Sequence, residues 1–343
     1  MQQSHFSHGG RLAGFPARRL WLAAVAAGLL ATAGLATQSA EAACANVRIV
    51  VPFPAGGPAD QLARTLSHGL QQRHANVPYI VDDKPGANGN IGIDAVRRAA
   101  GDGCTLLVVP AGNLTINPTL FPALSYQVER DFRPVSLLAS SPNVLAVHPS
   151  VKANSVQELI RLARQSAQAG TPLGYASPGV GSGLHLAGEL FRHKAGVTLM
   201  HVPYKGTTQA LNDVVGGQVP VLLGTWPTLA PFIQSGKLRA LAVTQSKRSP
   251  AAPGVPSLAE QGVAGIDVSS WYALLVPRAT PAAAVDGLAA EVRALLGTAA
   301  VRTELQRQGM EPVASTPDAL AARIREETAA WAKLIREYDI KAE

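Results

Sequence analysis

The sequence predicts an α/β protein of two domains, each a mostly parallel sheet flanked by helices, with a ligand cleft between them. Three observations carry that expectation. Short β-branched runs such as "VRIVV", "TLLVVP" and "LRALAV" alternate with helical periods along the chain. Twice a glycine-rich turn joins such a run to a helix, at "PFPAGGPAD" and at "ASPGVGSGLHL". The length, 343 residues, suffices for two cores.

The N-terminus reads as an export signal, not as fold. Arg11, Arg18 and Arg19 precede the apolar stretch Leu20 to Ala36, and the Ala40-Glu41-Ala42 pattern places cleavage after Ala42. "RRLWL" also resembles a twin-arginine signal, although Ala17 stands where that motif prefers a polar residue, so Sec and twin-arginine export both remain open. Glu41 argues against a lipoprotein anchor at Cys44. The mature chain is expected in the periplasm. Removing three Arg and one Glu takes the formal net charge from +7 to +5. The cations are scattered and aromatics make up 5% of the chain, which excludes a nucleic-acid stripe and suits a small anion instead.

In the mature chain a first strand, Arg48 to Phe53, leads into a helix from Pro58 to Arg73. "YIVDDKPG" and "TLLVVP" are the next strands, with the helical "GNIGIDAVRRAAGDG" between them. Cys44 and Cys104 each stand just before a strand. If those strands are parallel neighbours the cysteines share a sheet edge; a disulfide is then favoured over two unpaired thiols. "FRPVSLLAS" and "PNVLAVHPS" read as two strands with Pro142 between them, crossing into the second domain. Ser155 and Glu158 form a capping box for the helix ending at Gly170. "LGYAS", "VTLMHVPYK", "VPVLLGTW" and "LRALAVTQ" supply strands of that domain, and "VSSWYALLVP" crosses back. Two C-terminal helices are expected to start at Thr280-Pro281 and Thr316-Pro317 as N-cap and N1. The expected division is 1–42 signal peptide, 43–140 plus 265–343 domain 1, and 141–264 domain 2.

The chemistry lies in the turns. Helix-start N–H groups have no internal partners and carry partial positive charge. The N–H groups of Gly56, Gly57, Ala59 and Asp60 are expected to point outward, and Gly181, Ser182 and Gly183 repeat the device. Facing across a cleft, two such ends grip a carboxylate without a charged side chain. Each turn alone is better explained as tight-turn chemistry; it is the pairing in one chain that favours the anion. Nucleotide motifs are missing, since there is no G-x-x-x-x-G-K-[ST] and the glycines 179, 181 and 183 miss the dinucleotide spacing. Ser182 lacks a nucleophile-elbow frame, which leaves only a Ser182–His185 pair as a hydrolase alternative. The histidines show no metal-ligand spacing. No cofactor or metal is expected.

Several motifs in order resemble the periplasmic solute receptors of the tripartite tricarboxylate transporter family, also called Bug proteins. They are "VPFPAGGPADQLAR", "KPGANGNIG...AAGDGCTLL", "YASPGVGSGLHLAGELF", "HVPYKGTTQALNDVVGGQVPVLL" and "SSWYALLVP". The resemblance spans essentially the whole mature chain. It implies a two-domain periplasmic-binding-protein fold of type II-like build. It further implies a monomer that captures a small organic carboxylate for transporter membrane subunits; a membrane sensor protein as partner is the alternative. Carried onto this chain, the ligand set is Ala55, Gly56, Gly57 and Ala59, with Gly181, Ser182, Gly183 and His185 opposite, and Asn113 and Tyr204 as additions. Relatives often place Thr or Ser at Ala59 and an acid or amide near Gly224, so amino-acid ligands are disfavoured here. Thr225 and Trp226 complete the set, Trp226 either as a stacking face for the ligand or as a core residue.

Overall fold

The structure, a computed structural model, describes residues 44–342, so the expected export signal lies outside the described residues. Strand β1 (Val47–Val51) buries every residue except Arg48 and passes through a turn into α1 (Pro58–Arg73). β2 (Tyr79–Asp83), α2 (Asn90–Arg97) and β3 (Thr105–Pro110) follow, then the short helices α3 (Ala111–Thr115), α4 (Asn117–Leu120) and α5 (Val128–Asp131). α2 starts later than its sequence pattern because Asn88 takes a left-handed conformation at φ 51°.

β4 (Phe132–Val147) is one strand where the sequence reads as two. It pairs antiparallel with β9 (Ser269–Pro277) through Pro142 and with β7 (Val221–Thr225) from Asn143 onward. Pro142 thus stands where the strand changes partners, the place in a ladder where a missing N–H is tolerated. Between these lie α6 (Val156–Gln168), β5 (Leu173–Ser177), α7 (Gly183–Ala195), β6 (Leu199–Pro203), α8 (Thr207–Val215), α9 (Trp226–Gln234) and β8 (Arg239–Val243). The Ser155 hydroxyl caps α6 by accepting from the Glu158 N–H, while Glu158 reaches back to the Asn154 N–H.

The chain ends with α10 (Ala282–Leu296), α11 (Ala299–Arg307), the two-residue β10 (Glu311–Pro312) and α12 (Pro317–Glu337). Thr316 caps α12 as expected. Pro281, rather than Thr280, is the N-cap of α10, and α11 has no counterpart among the expected elements.

The sheet runs β2-β1-β3-β9-β4-β7-β5-β6, with β8 and β10 pairing to β4 off that path. β1 is parallel to β2 and β3, and β5 to β6 and β7, whereas every pairing of β4 and β9 is antiparallel. Each half of the sheet is therefore a parallel unit, and the antiparallel pair joins them. Apolar clusters cover both faces of both halves, which explains the continuous apolar runs. α12 straddles the halves: Leu320 and Ile324 pack on the first and Trp331 and Leu334 on the second.

Register places Arg48 beside Thr105, which brings the residues before β1 and β3 together. Cys44 and Cys104 form a disulfide with Cα atoms 5.5 Å apart, closing a loop of 60 residues. Such a loop contributes about 4 kcal/mol through the unfolded chain. Replacing both cysteines with Ala is expected to lower the thermal midpoint by about 8 °C, read by calorimetry, with the native circular-dichroism spectrum retained.

Candidate ligand cleft

The cleft is built at the carboxyl ends of the parallel strands. Residues just beyond β1, β3, β5 and β6 (Phe53, Ala111, Pro178 and Lys205), and the last residue of β7, Thr225, line one cavity of about 380 Å³. Ligands of open α/β sheets bind at such strand ends.

Three helix starts open into it. At α1, Gly57 is the N-cap and Pro58 occupies N1, where its missing N–H removes nothing. The backbone N–H groups of Gly57, Ala59 and Asp60 have no acceptor among the described residues. Gly56 differs from expectation. At φ +81° it turns its N–H onto the Asp60 Oδ2 at 2.8 Å, and Asp60 Oδ1 meets the Arg64 Nε at 2.7 Å. Oδ2 is thereby hydrogen-bonded, while the buried Oδ1 is held by the ion pair alone.

At α7, Ser182 is the N-cap: its hydroxyl oxygen accepts from the His185 N–H at 3.1 Å and its proton goes to the Gly179 carbonyl at 2.7 Å. The Gly183 and Leu184 N–H groups remain without acceptors, while the Gly181 N–H is taken by His185 Nδ1. The third start is α8, a helix the pattern "TTQALNDVVGG" predicts but whose start is not among the expected anion-holding turns. Its N-cap, Gly206, has φ 136° and no side-chain cap, so the Thr207, Thr208 and Gln209 N–H groups are free of internal partners. "YKGTT" resembles the other two turns, and that glycine before a helix was the signal available in the sequence. Lys205 is the one cation and Asp60 the one carboxylate among the lining residues.

The two halves meet around the α7 turn. Asn88 donates from Nδ2 to the Val180 carbonyl at 2.6 Å, and Asn113 Nδ2 donates to the Asn88 carbonyl at 2.7 Å. Tyr126 in turn donates to the Asn113 carbonyl. Gly112 approaches so closely that a Cβ there would lie 2.7 Å from the Gly181 carbonyl oxygen.

Of the residues singled out from sequence, Ala55, Gly57, Ala59, Asn113, Ser182, Gly183 and Thr225 line the cavity. Gly56 and Gly181 shape the turns without lining it, their N–H groups spent internally. Tyr204 turns its hydroxyl to Asp213 at 2.7 Å. Trp226 lines a second cavity, with Gln61 and Gly309, and packs against Gly309, so the stacking face read from the sequence is not in this cleft. His185 lies behind the turn, 4% exposed. The Ser182 hydroxyl faces the Gly179 carbonyl and the His185 backbone, not its imidazole, so the pair has no nucleophile–base geometry. No cluster of His, Cys, Asp or Glu among the described residues is placed to hold a metal.

His185 stacks on His201 with ring centroids 4.3 Å apart, and His201 on Tyr175 at 4.8 Å. Burial, then the Arg192 charge, pushes His185 down to about 4. Burial, then a charge on His185, pushes His201 down to about 3.

The sequence profile of the tripartite tricarboxylate transporter family receptors matches residues 62–340. The chain is 36% identical to Protein BugT of Bordetella pertussis over 323 residues, covering 93% of this chain and 98% of that one. Among solved structures, an R. palustris protein with adipate is similar at TM-score 0.82 and 33% identity, over 86% of this chain and 98% of that one. MatC from Rhodopseudomonas palustris, with bound malate, is similar at TM-score 0.78 and 31% identity, over 84% and 98%.

Two outcomes follow from the cleft's construction. Both histidine pKa values are lower folded than unfolded, so the unfolded chain binds more protons below about pH 6.5. Stability present above that pH is lost as pH falls toward 4 and then 3, on the order of 3 kcal/mol for His185 alone. Urea midpoints at pH 7 and pH 5 are expected to differ in that direction, and less so in His201→Gln. Gly112→Ala, which forces the Gly181 carbonyl to move, is expected to cost about 1–3 kcal/mol in the same assay.

Proposed function

The chain belongs to the tripartite tricarboxylate transporter receptor family, and from that premise we propose that it captures a small aliphatic carboxylate in the periplasm and delivers it to transporter membrane subunits. Proteins of this family are periplasmic solute-binding receptors, not enzymes. Among the described residues no helix is long and apolar enough to cross a membrane. The receptor would work as a monomer.

The observation that carries the reading is the convergence of the α1, α7 and α8 starts on one cavity. Backbone N–H groups aimed from several directions, each aided by its helix dipole, stabilise an anion at low desolvation cost. The Lys205 side chain adds a cation at the same cavity, with its backbone N–H held by Gln209 Oε1 at 3.3 Å. The Asp60 charge is already matched by Arg64 and its Oδ2 is taken by the Gly56 N–H, which disfavours a ligand ammonium and hence amino acids. Phe53, Pro54, Pro110 and Tyr272 supply apolar walls for a carbon chain. The similar structures holding adipate and malate support the same chemistry.

Thermal unfolding of the mature protein against C4–C6 diacids, citrate, acidic amino acids and aromatic acids tests this. A ligand at a hundred times its Kd adds about 2.7 kcal/mol, or roughly 5 °C for a chain of this size. The diacids are expected to give that shift and the amino acids none. A flat response to every carboxylate, from protein refolded free of co-purified ligand, would contradict the proposal.

A further inference from the structure

Two imidazoles back the α7 turn, His185 directly and His201 through the Ser177 hydroxyl. The Gly181 N–H donates to His185 Nδ1 at 3.3 Å. The Gly179 N–H donates to the Ser177 hydroxyl oxygen at 3.2 Å, and that hydroxyl lies 2.6 Å from His201 Nε2. After accepting from Gly179 the hydroxyl keeps a proton and a second lone pair; where it gives that proton to His201 Nε2, the ring is the acceptor. The Gly181 contact sets the neutral His185 tautomer, with its proton on Nε2; the matching arrangement for His201 puts its proton on Nδ1. An imidazolium has no acceptor nitrogen, so either ring loses its hold on the turn when it gains a second proton.

The surroundings keep both rings neutral. They stack on each other at 4.3 Å, so a charge on one opposes a charge on the other. The titratable and charged groups facing them are Tyr175 on β5 and Glu189 and Arg192 on α7 itself. Glu189 favours a charged His201, but its oxygens are engaged by the Tyr175 hydroxyl at 2.7 Å and by Arg192 at 2.5 Å, and burial outweighs it. Arg192 opposes protonation of both rings.

We propose that His185 and His201 are positioning residues for anion capture: as a neutral stacked pair they hold the Gly179–Ser182 backbone so that the Gly183 and Leu184 N–H groups face the cavity, and protonating the pair loosens the turn and releases the anion. The proposal rests on the reading that this turn meets the ligand. Neither ring touches the cavity; both act through the backbone.

Histidine-selective 15N spectra of the ligand-free protein come first. At pH 7 His185 Nδ1 and His201 Nε2 are expected to show the shifts of unprotonated acceptors, and a proton on His185 Nδ1 overturns the proposal. Affinity for adipate and malate follows. His185→Asn places a carbonyl oxygen near the Nδ1 position and is expected to bind nearly as the parent does. His185→Phe keeps the stacked ring without the acceptor and is expected to bind about ten-fold more weakly; equal affinity overturns the proposal. The parent is expected to lose more affinity than His185→Asn as pH falls from 6 to 4, and coincident profiles also overturn it, since protonation of the ligand itself is common to both proteins. If His185→Phe fails to fold, Ser177→Ala and His201→Phe test the second arm in the same way. Amide exchange at Gly179 and Gly181 is expected to quicken in these variants without any ligand, and unchanged exchange overturns the proposal. A parent that binds neither acid would count against the receptor reading alone, because spectra and exchange judge the histidines independently.

Discussion

Everything in this molecule depends on backbone N–H groups that a helix cannot satisfy for itself. The first turns of α1, α7 and α8 leave such donors, and burying them unpaired is costly. They avoid that cost by opening into a cavity where water or an anion can reach them. Their convergence follows from the sheet. Both parallel units, β1 with β3 and β5 with β6, run so that their carboxyl ends face the same cavity, and β1, β5 and β6 each pass the chain through a glycine turn to a helix start. Glycine at these turns allows close approach, and Pro58 at N1 sets the entry of α1 without spending a donor. In the proposed receptor, dipoles with a single lysine would hold the anion in place of several buried cations.

The donors must also stay aimed. Asp60 occupies the Gly56 N–H and meets Arg64, which fixes the first turn and leaves the next N–H groups outward. Asn88 reaches across the two halves to Val180, and Gly112 brings the α3 start against the second turn. Behind that turn the two histidines complete the support. Binding sites held to this degree lose little entropy when the ligand arrives. α12 packs on both halves and couples their relative position to its own packing.

Much of this was legible in the sequence where the signal is local. The bounds of α1 follow from a glycine turn, Pro58 and a clean helical period. The α6 and α12 caps follow from Ser155 with Glu158 and from Thr316 with Pro317. The Cys44–Cys104 pairing follows from two cysteines at the heads of strands that prove to be parallel neighbours. What the sequence hid is set by tertiary partners. Pro142 reads as a break because nothing local says that β4 changes neighbours there. The occupied Gly56 N–H depends on the Asp60 rotamer, and Trp226 faces away from the cleft because Gly309, distant in sequence, offers it a surface. His185 and His201 are far apart along the chain, so their stack has no sequence signature. The α8 start was within reach, since Gly206 and the threonines after it repeat the logic of the other two turns.

The central claim is that backbone donors at three helix starts hold the ligand. The most direct measurement is an amide 15N–1H titration of the mature protein with adipate, following the residues at the cleft. The account predicts large downfield amide proton shifts at Ala59, Asp60, Gly183 and Leu184, with further changes from Thr207 to Gln209, all saturating together. Saturable binding that leaves these amides in place and perturbs only side-chain signals, such as the Lys205 ammonium, would contradict it.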